Sequence, residues 1–468
     1  MNLDFKNNRL IVLVLLNRRN TMITTGYKKY WNEERETLNP IKRDRLILGK
    51  IKEQLDYVYN HLPFYRKHYD NHNFKPSDVK TLEDFTTKVP VITKKMLVED
   101  QKINPIFGSY AGDFAPEDIA RLQGSSGTSG TPTFYQVSKA DWERAAEVHA
   151  MALWSTGLRP NDVVQIGFPF SIFFGGWGVL QGAERIGSAV FPLGAIESDK
   201  HLDMIEKVKP TAFSATVSYC MHLLMKARER GVDLSESSVM RLIAAGEIGA
   251  SLPSTKEILT KGWGASLHDT GSTSEMYPFM TSTACEAQAG VHLYQDEVFT
   301  EIVSKSDPNI PIQVGERGAT VYTHLWRKSQ PMIRFWSGDE SFMTEEICSC
   351  GRTYPRLPHG VLGRLDDMLV IRGANVYPSA IENVVRSLNW SGAEYQIIVD
   401  KKGALDEMTV NMEYQNQYKT RNLDDLINEA KELFKNKIGI RVSINLVEQG
   451  SMPETIFKAR RVIDNRKK

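Results

Sequence analysis

The run GSSGTSGTP, residues 124–132, sets glycines among small hydroxylated residues, between two stretches (IARLQ and TFYQV) that read as strands. Successive backbone N–H groups in such a turn can form a nest for an anion, and serine and threonine hydroxyls add donors. A Walker-type loop is excluded, because it ends in Gly-Lys-Ser/Thr and opens a helix. Here no lysine lies between Gly124 and Val137, Pro132 stands where the helix would begin, and a strand follows. The residues alone leave two readings, a loop folded over a polyphosphate and a solvated surface loop. A second constellation is Cys285 and His292 in CEAQAGVH with Cys348 and Cys350 in CSCG. Three thiols and an imidazole suit a structural zinc. Cys-x-Cys is less diagnostic than Cys-x-x-Cys, so reduced buried cysteines remain the other reading.

Residues 27–100 carry apolar side chains at helical spacing, interrupted at Pro63. KADWERAAEVHAMALWSTG reads as a helix ending at Gly157. Short apolar runs then alternate with helical segments at 200–208 and 217–230, which is α/β texture with buried strands. Residues 291–343 read mostly as strands, VHLYQDEVFTEIV among them as one run. After GRLDDM (363–368) a smaller unit follows: a helix from Ser379, strands EYQIIVD and EMTVNMEY, a helix over 423–437, strand VSINLV, then a loop-like 449–461.

At 468 residues the chain is too long for one core. Its 41% apolar and 25% charged content is that of a globular protein, and a net charge of +1 disfavours nucleic acid as an obligate partner. The apolar run Leu10 to Leu16 is too short to span a bilayer, which takes about twenty residues. No membrane partner is expected, residues 1–26 read as an extension with Met22 as an alternative start, and the expected location is cytoplasmic. With four cysteines there is no disulfide framework, and Cys220 reads as a core residue.

Taken in order, the loop at 124–132, AAGE (244–247), DTGSTSE (269–275), WSGDE (336–340), GRLDDMLVIRGANVYPSAIE (363–382) and FKARRVID (457–464) form a series. It resembles the adenylate-forming, AMP-binding superfamily and, within it, the phenylacetate–CoA ligase family. YVYNHLPFYRKHYD, VPVITKKML and GGWGVLQGAERIGSAVFPLG fit that family along most of the chain. The resemblance implies a large N-terminal α/β adenylate-forming domain of several sheets with a β-rich subdomain (27–365). A small mobile α+β C-terminal domain (366–468) follows. It also implies ATP-dependent, AMP-forming activation of an aryl or arylacetic acid and transfer to coenzyme A, with Mg²⁺.

On the matching positions, Ser125, Ser126, Gly127, Thr128, Ser129 and Gly130 would hold the terminal phosphates. Relatives commonly carry a lysine where this chain has Thr131. Glu275, helped by Thr128, would bind Mg²⁺. Asp339 would take the ribose hydroxyls, with Arg364 at ribose or phosphate. Gly246 and Glu247 on one side, and Asp269 and Thr270 on the other, would wall the adenine, although Gly271 stands where relatives have a stacking aromatic. Lys458 would reach the reacting carboxylate, Phe457 replacing the usual glycine before it. Asp366 would be the hinge, exchanging Lys458 for the 372–378 loop and Gly373 beside the pantetheine. Phe168, Phe173 and Ala245 would line the acid pocket. Some family members hold zinc with a cysteine–histidine set like Cys285, His292, Cys348 and Cys350. A homodimer is compatible with this reading. The alternatives are transfer of the acyl group to an amine or carrier-protein thiol, transfer of the nucleotide to a hydroxyl, or a nucleotide-binding protein weakened in catalysis.

Overall fold

The computed structural model describes residues 26–125, 132–371, 374–402, 405–453 and 461–467. The chain opens on helices. Asn39 caps the helix Pro40–His61 by accepting from the Ile41 and Lys42 N–H groups, with Pro40 in the first turn where it sacrifices no bond. Leu62 breaks that helix, Pro63 starts the next, Pro63–Asn71, and Lys94–Ile103 follows. Among the described residues no helix is long and apolar enough to cross a membrane.

Two main sheets and the hairpin of Ile119–Gly124 with Phe134–Ser138 make up the large unit. In the eight-stranded sheet, Ala189–Phe191, Val163–Ile166, Ala212–Ala215, Arg241–Ala244 and Ser266–Gly271 lie side by side in parallel. Ser282–Ala284, Val291–Leu293 and Arg356–Leu357 extend it antiparallel. Parallel strands feed from one end into helices, so the loops after their carboxyl ends cluster on one edge, where open α/β sheets bind ligands. The second sheet orders Ile92–Thr93, Phe335–Ser341, Gly318–His324 and Val298–Val303, and Gly363–Arg364 also pairs with Phe335–Ser341.

Two differences from the sequence reading have local causes. VHLYQDEVFTEIV is not one strand: 294–297 turn back, with Glu297 and Val298 N–H donating to Tyr294 O, while the Gln295 side chain bonds Thr300. The glycine-rich GGWGVLQGAERI is a helix, Gly175–Ile186. A Cβ on Gly182 would lie 2.8 Å from His149 Cβ, so its glycine lets this helix close on Lys139–Ser155.

Separate apolar clusters underlie the two units, and one begins at Leu369 and continues to Val442. Its sheet runs Ser443–Glu448, Leu405–Tyr414, Ser391–Lys402, Val462–Asp464, so part of FKARRVID is a strand parallel to Ser391–Lys402. Cys220 is fully buried in the large unit, where burial pushes its thiol up, and Trp263 Nε1 donates to its carbonyl.

Arg334 ties the opening helices to the second sheet. It is fully buried in a left-handed conformation and pairs with Glu301, donating also to Val89 O, Pro308 O and Asn309. Replacing it leaves buried acceptors and a carboxylate unpaired. Arg334→Met is expected to cost about 3–5 kcal/mol in chemical denaturation.

Candidate active site

The expected site residues converge where the fold places the carboxyl ends of the parallel strands. Phe168 follows Val163–Ile166, Ala245 to Glu247 follow Arg241–Ala244, and Asp269 and Thr270 close Ser266–Gly271. Gly246 has φ +88, which favours glycine, and a Cβ there would sit 3.9 Å from the Phe168 ring. Phe168 therefore faces the Ala245 to Gly246 turn, as an acid-pocket wall would require. Phe173 is half-buried on the same loop. Its neighbour Phe174 packs inward, 5.0 Å from His149 and 5.1 Å from Tyr277, centroid to centroid.

The carboxylates have distinct settings. Asp339 lies in Phe335–Ser341 directly opposite Arg364, with Arg364 Nη1 3.4 Å from Asp339 Oδ1. Burial pushes the Asp339 carboxyl up to about 6, against the pull of Arg364. Arg364 also grips exposed Asp366 with two contacts of 2.9 Å. Burial likewise lifts Asp269 to about 6, opposed by the Ser251 hydroxyl donating at 2.6 Å. Thr270 Oγ1 is bonded to Ala244 O. Glu247 is raised to about 7 by burial, and its carboxylate accepts the Ser218 N–H at the start of Val217–Glu229. It also feels the negative charge of Glu382 in the C-terminal unit.

Glu275 is buried beside Lys94, whose Nζ lies 2.7 Å from Oε1. Tyr135 OH is 3.4 Å from the same oxygen and 2.7 Å from Thr133 Oγ1, which donates to Ser125 Oγ at 3.0 Å. Ser125 and Thr133 are thus the stem of the loop, wired to Glu275. Ser126, Gly127, Thr128, Ser129, Gly130, Thr131, Gly373 and Lys458 lie outside the described residues. Sequence reasoning missed Lys94, Tyr135 and Ser251. Lys94 lay in VPVITKKML and Tyr135 in TFYQV, and nothing there revealed their partners.

Cys285, His292, Cys348 and Cys350 come together with their ligand atoms all within 4.8 Å. Cys285 and Cys348 Sγ are 3.7 Å apart and unbonded, and Cys350 Sγ is 3.4 Å from His292 Nε2. A tetrahedron with zinc–sulfur bonds of 2.3 Å has sulfur–sulfur edges of about 3.8 Å, so the set can hold zinc. Tyr354 O is 3.4 Å from His292 Nδ1, the position from which a carbonyl orients a ligating imidazole.

The family profile described as the AMP-binding enzyme C-terminal domain matches residues 373–466. The crystal structure of 2-hydroxyisobutyryl-CoA ligase in the postadenylation state, with an acyl-AMP, superposes with TM-score 0.90 at 38% identity, covering 96% of this chain and 94% of that one. The same enzyme with CoA in the thioesterification state gives 0.71 at 39% identity. These are adenylate-forming CoA ligases, and this chain is one of them.

The phenylacetate-coenzyme A ligase of Thermus thermophilus is 32% identical over 457 residues, covering 93% of this chain and all of that protein. That of Escherichia coli K12 is 29% identical over 92% of this chain and 97% of its own. The chain belongs to the phenylacetate–CoA ligase family and is an AMP-forming acyl–CoA ligase.

Two predictions follow from the carboxylates and thiols. Asp269, Asp339 and Glu247 bind protons more tightly folded than unfolded. Their contribution to stability is full below about pH 4 and is lost as pH rises through 6 to 7. If Asp339 is the ribose carboxylate, kcat/KM for ATP should fall about tenfold per pH unit below 6, and Asp339→Asn should abolish that limb. Elemental analysis should find one zinc per chain, absent from Cys348→Ser, with a lowered melting temperature.

Proposed function

We propose that the chain adenylates an aromatic carboxylic acid, aryl or arylacetic, and transfers it to coenzyme A. The observation that carries this reading is the apolar face of Phe168 against the Ala245 to Gly246 turn, at the strand ends of the eight-stranded sheet that also hold Asp269. Aromatic side chains give a flat acid large contact area and offset stacking. Asp339 takes the ribose hydroxyls, and Arg364 compensates charge at ribose or phosphate. Glu275 fits Mg²⁺, which prefers a carboxylate plus phosphate oxygens and keeps several waters. That ion, when bound, would neutralise charge between the attacking carboxylate and the α-phosphate. The loop at 125–130, with Thr128 aiding Glu275, holds pyrophosphate, and Lys458 meets charge developing at the reacting centre.

For the second half-reaction we place a hinge at Asp366 between units 27–365 and 366–468. Among the described residues, polar contacts across the seam include Ser254 Oγ donating to Asn383, Gln449 Nε2 to Glu229 and Ser379 Oγ to Leu362 O, with the Arg364–Asp366 pair at the boundary itself. A hinge uses a few element-terminal residues that absorb the backbone change, and Asp366 follows the strand Gly363–Arg364. The four-ligand cluster holds zinc in a structural role.

A second reading, a small branched hydroxy acid, is favoured by the 2-hydroxyisobutyryl-CoA ligase similarity and by buried polar atoms without partners, Gln123 Oε1 and Tyr277 OH. Acid-dependent exchange of pyrophosphate into ATP across phenylacetate, benzoate and 2-hydroxyisobutyrate separates the two. An aromatic acid should win by at least about tenfold in kcat/KM. Preference for the hydroxy acid overturns the first reading.

A further inference from the structure

The strand Ile119–Gly124 leads into the loop stem at Ser125, and it also meets the loop that carries Phe168. The Gly124 N–H donates to Ile172 O at 3.0 Å. Three residues earlier, the Arg121 guanidinium lies between two indoles, 4.4 Å from the Trp142 ring centroid and 4.2 Å from that of Trp177. Trp142 belongs to Lys139–Ser155 and Trp177 to Gly175–Ile186, so the cation bridges the two helices that close at Gly182.

Trp177 in turn grips the aromatic loop. Its Nε1–H donates to Ser171 O at 2.8 Å, and its ring meets Phe170 edge-on at 5.0 Å. On the other side, Trp142 stacks on Tyr277 at 6.2 Å, and Tyr277 meets Phe174. The stack therefore reaches both ends of segment 170–174. Among the described residues Arg121 makes no hydrogen bond or ion pair. A guanidinium so placed is held by the two ring faces, and a planar cation suits stacking on both sides where an ammonium does not.

We propose that Arg121 is a positioning residue for acid selection. Clamped between Trp142 and Trp177, it fixes the loop behind Phe168. This rests on the proposed acid pocket. Its loss should loosen the wall without touching the nucleotide carboxylates.

The test compares wild type, Arg121→Ala, Arg121→Lys and Trp177→Ala in acid-dependent pyrophosphate exchange over acetate, 2-hydroxyisobutyrate, benzoate and phenylacetate. Arg121→Ala should raise KM for the preferred acid and compress the ratio of best to worst kcat/KM about fivefold or more, with KM for ATP within about twofold of wild type. Arg121→Lys should recover part of the ratio, and adding Trp177→Ala to Arg121→Ala should cost little further. An unchanged ratio, or equal rises in both KM values with a fallen melting temperature, overturns the proposal. If wild type turns over none of these acids, the proposed activity fails instead. The clamp is then read by chymotrypsin: faster cleavage within 168–177 in folded Arg121→Ala supports it, and an unchanged rate overturns it.

Discussion

The structure depends on one constraint: a carboxylate, Asp339, sits in a buried strand directly opposite an arginine. Asp339 is 7% exposed, and an unpaired charge there would protonate. The chain answers with a cross-strand arginine, Arg364, shared with exposed Asp366. The same residue that keeps the nucleotide carboxylate charged is therefore tied to the turn at which the second unit begins. Gly363 serves this geometry too, since a Cβ there would strike the Tyr377 ring.

Around that pair the architecture brings anions together and keeps them apart from bulk water. The strand bearing Asp339 needs an edge partner, Ile92–Thr93, and the next residue is Lys94, whose ammonium reaches Glu275. The neighbouring sheet delivers Asp269 and the Ala245 to Gly246 turn from its own strand ends. Asp339 thus comes from one sheet, and Asp269 with the Ala245 to Gly246 turn from the other. In the cysteine–histidine cluster His292 lies in the antiparallel strand Val291–Leu293, Cys285 follows Ser282–Ala284, and Cys348 and Cys350 lie in the segment before Arg356–Leu357.

Much of this was legible in the sequence because it depends on local patterning. Buried parallel strands read as short apolar runs, and Pro63 announced a break that became a helix start. The cysteine–histidine set needed only donor chemistry. What could not be read was pairing between distant segments. Lys94 and Glu275 are far apart in sequence, and neither residue type advertises the other. The helix at Gly175–Ile186 was hidden because its glycines oppose helix propensity, and close packing against Lys139–Ser155 overrides that preference. The final strand Val462–Asp464 is short and stabilised by its neighbour rather than by its own sequence.

The central claim is that one cleft holds acid and nucleotide as a single acyl-adenylate. Calorimetric titration with a non-hydrolysable phenylacetyl sulfamoyl-adenosine tests it most directly. One equivalent should bind per chain, and Asp339→Ala should weaken it about a hundredfold while leaving the fold intact. Absence of binding to the folded wild-type chain, or equal affinity in the variant, would contradict the account.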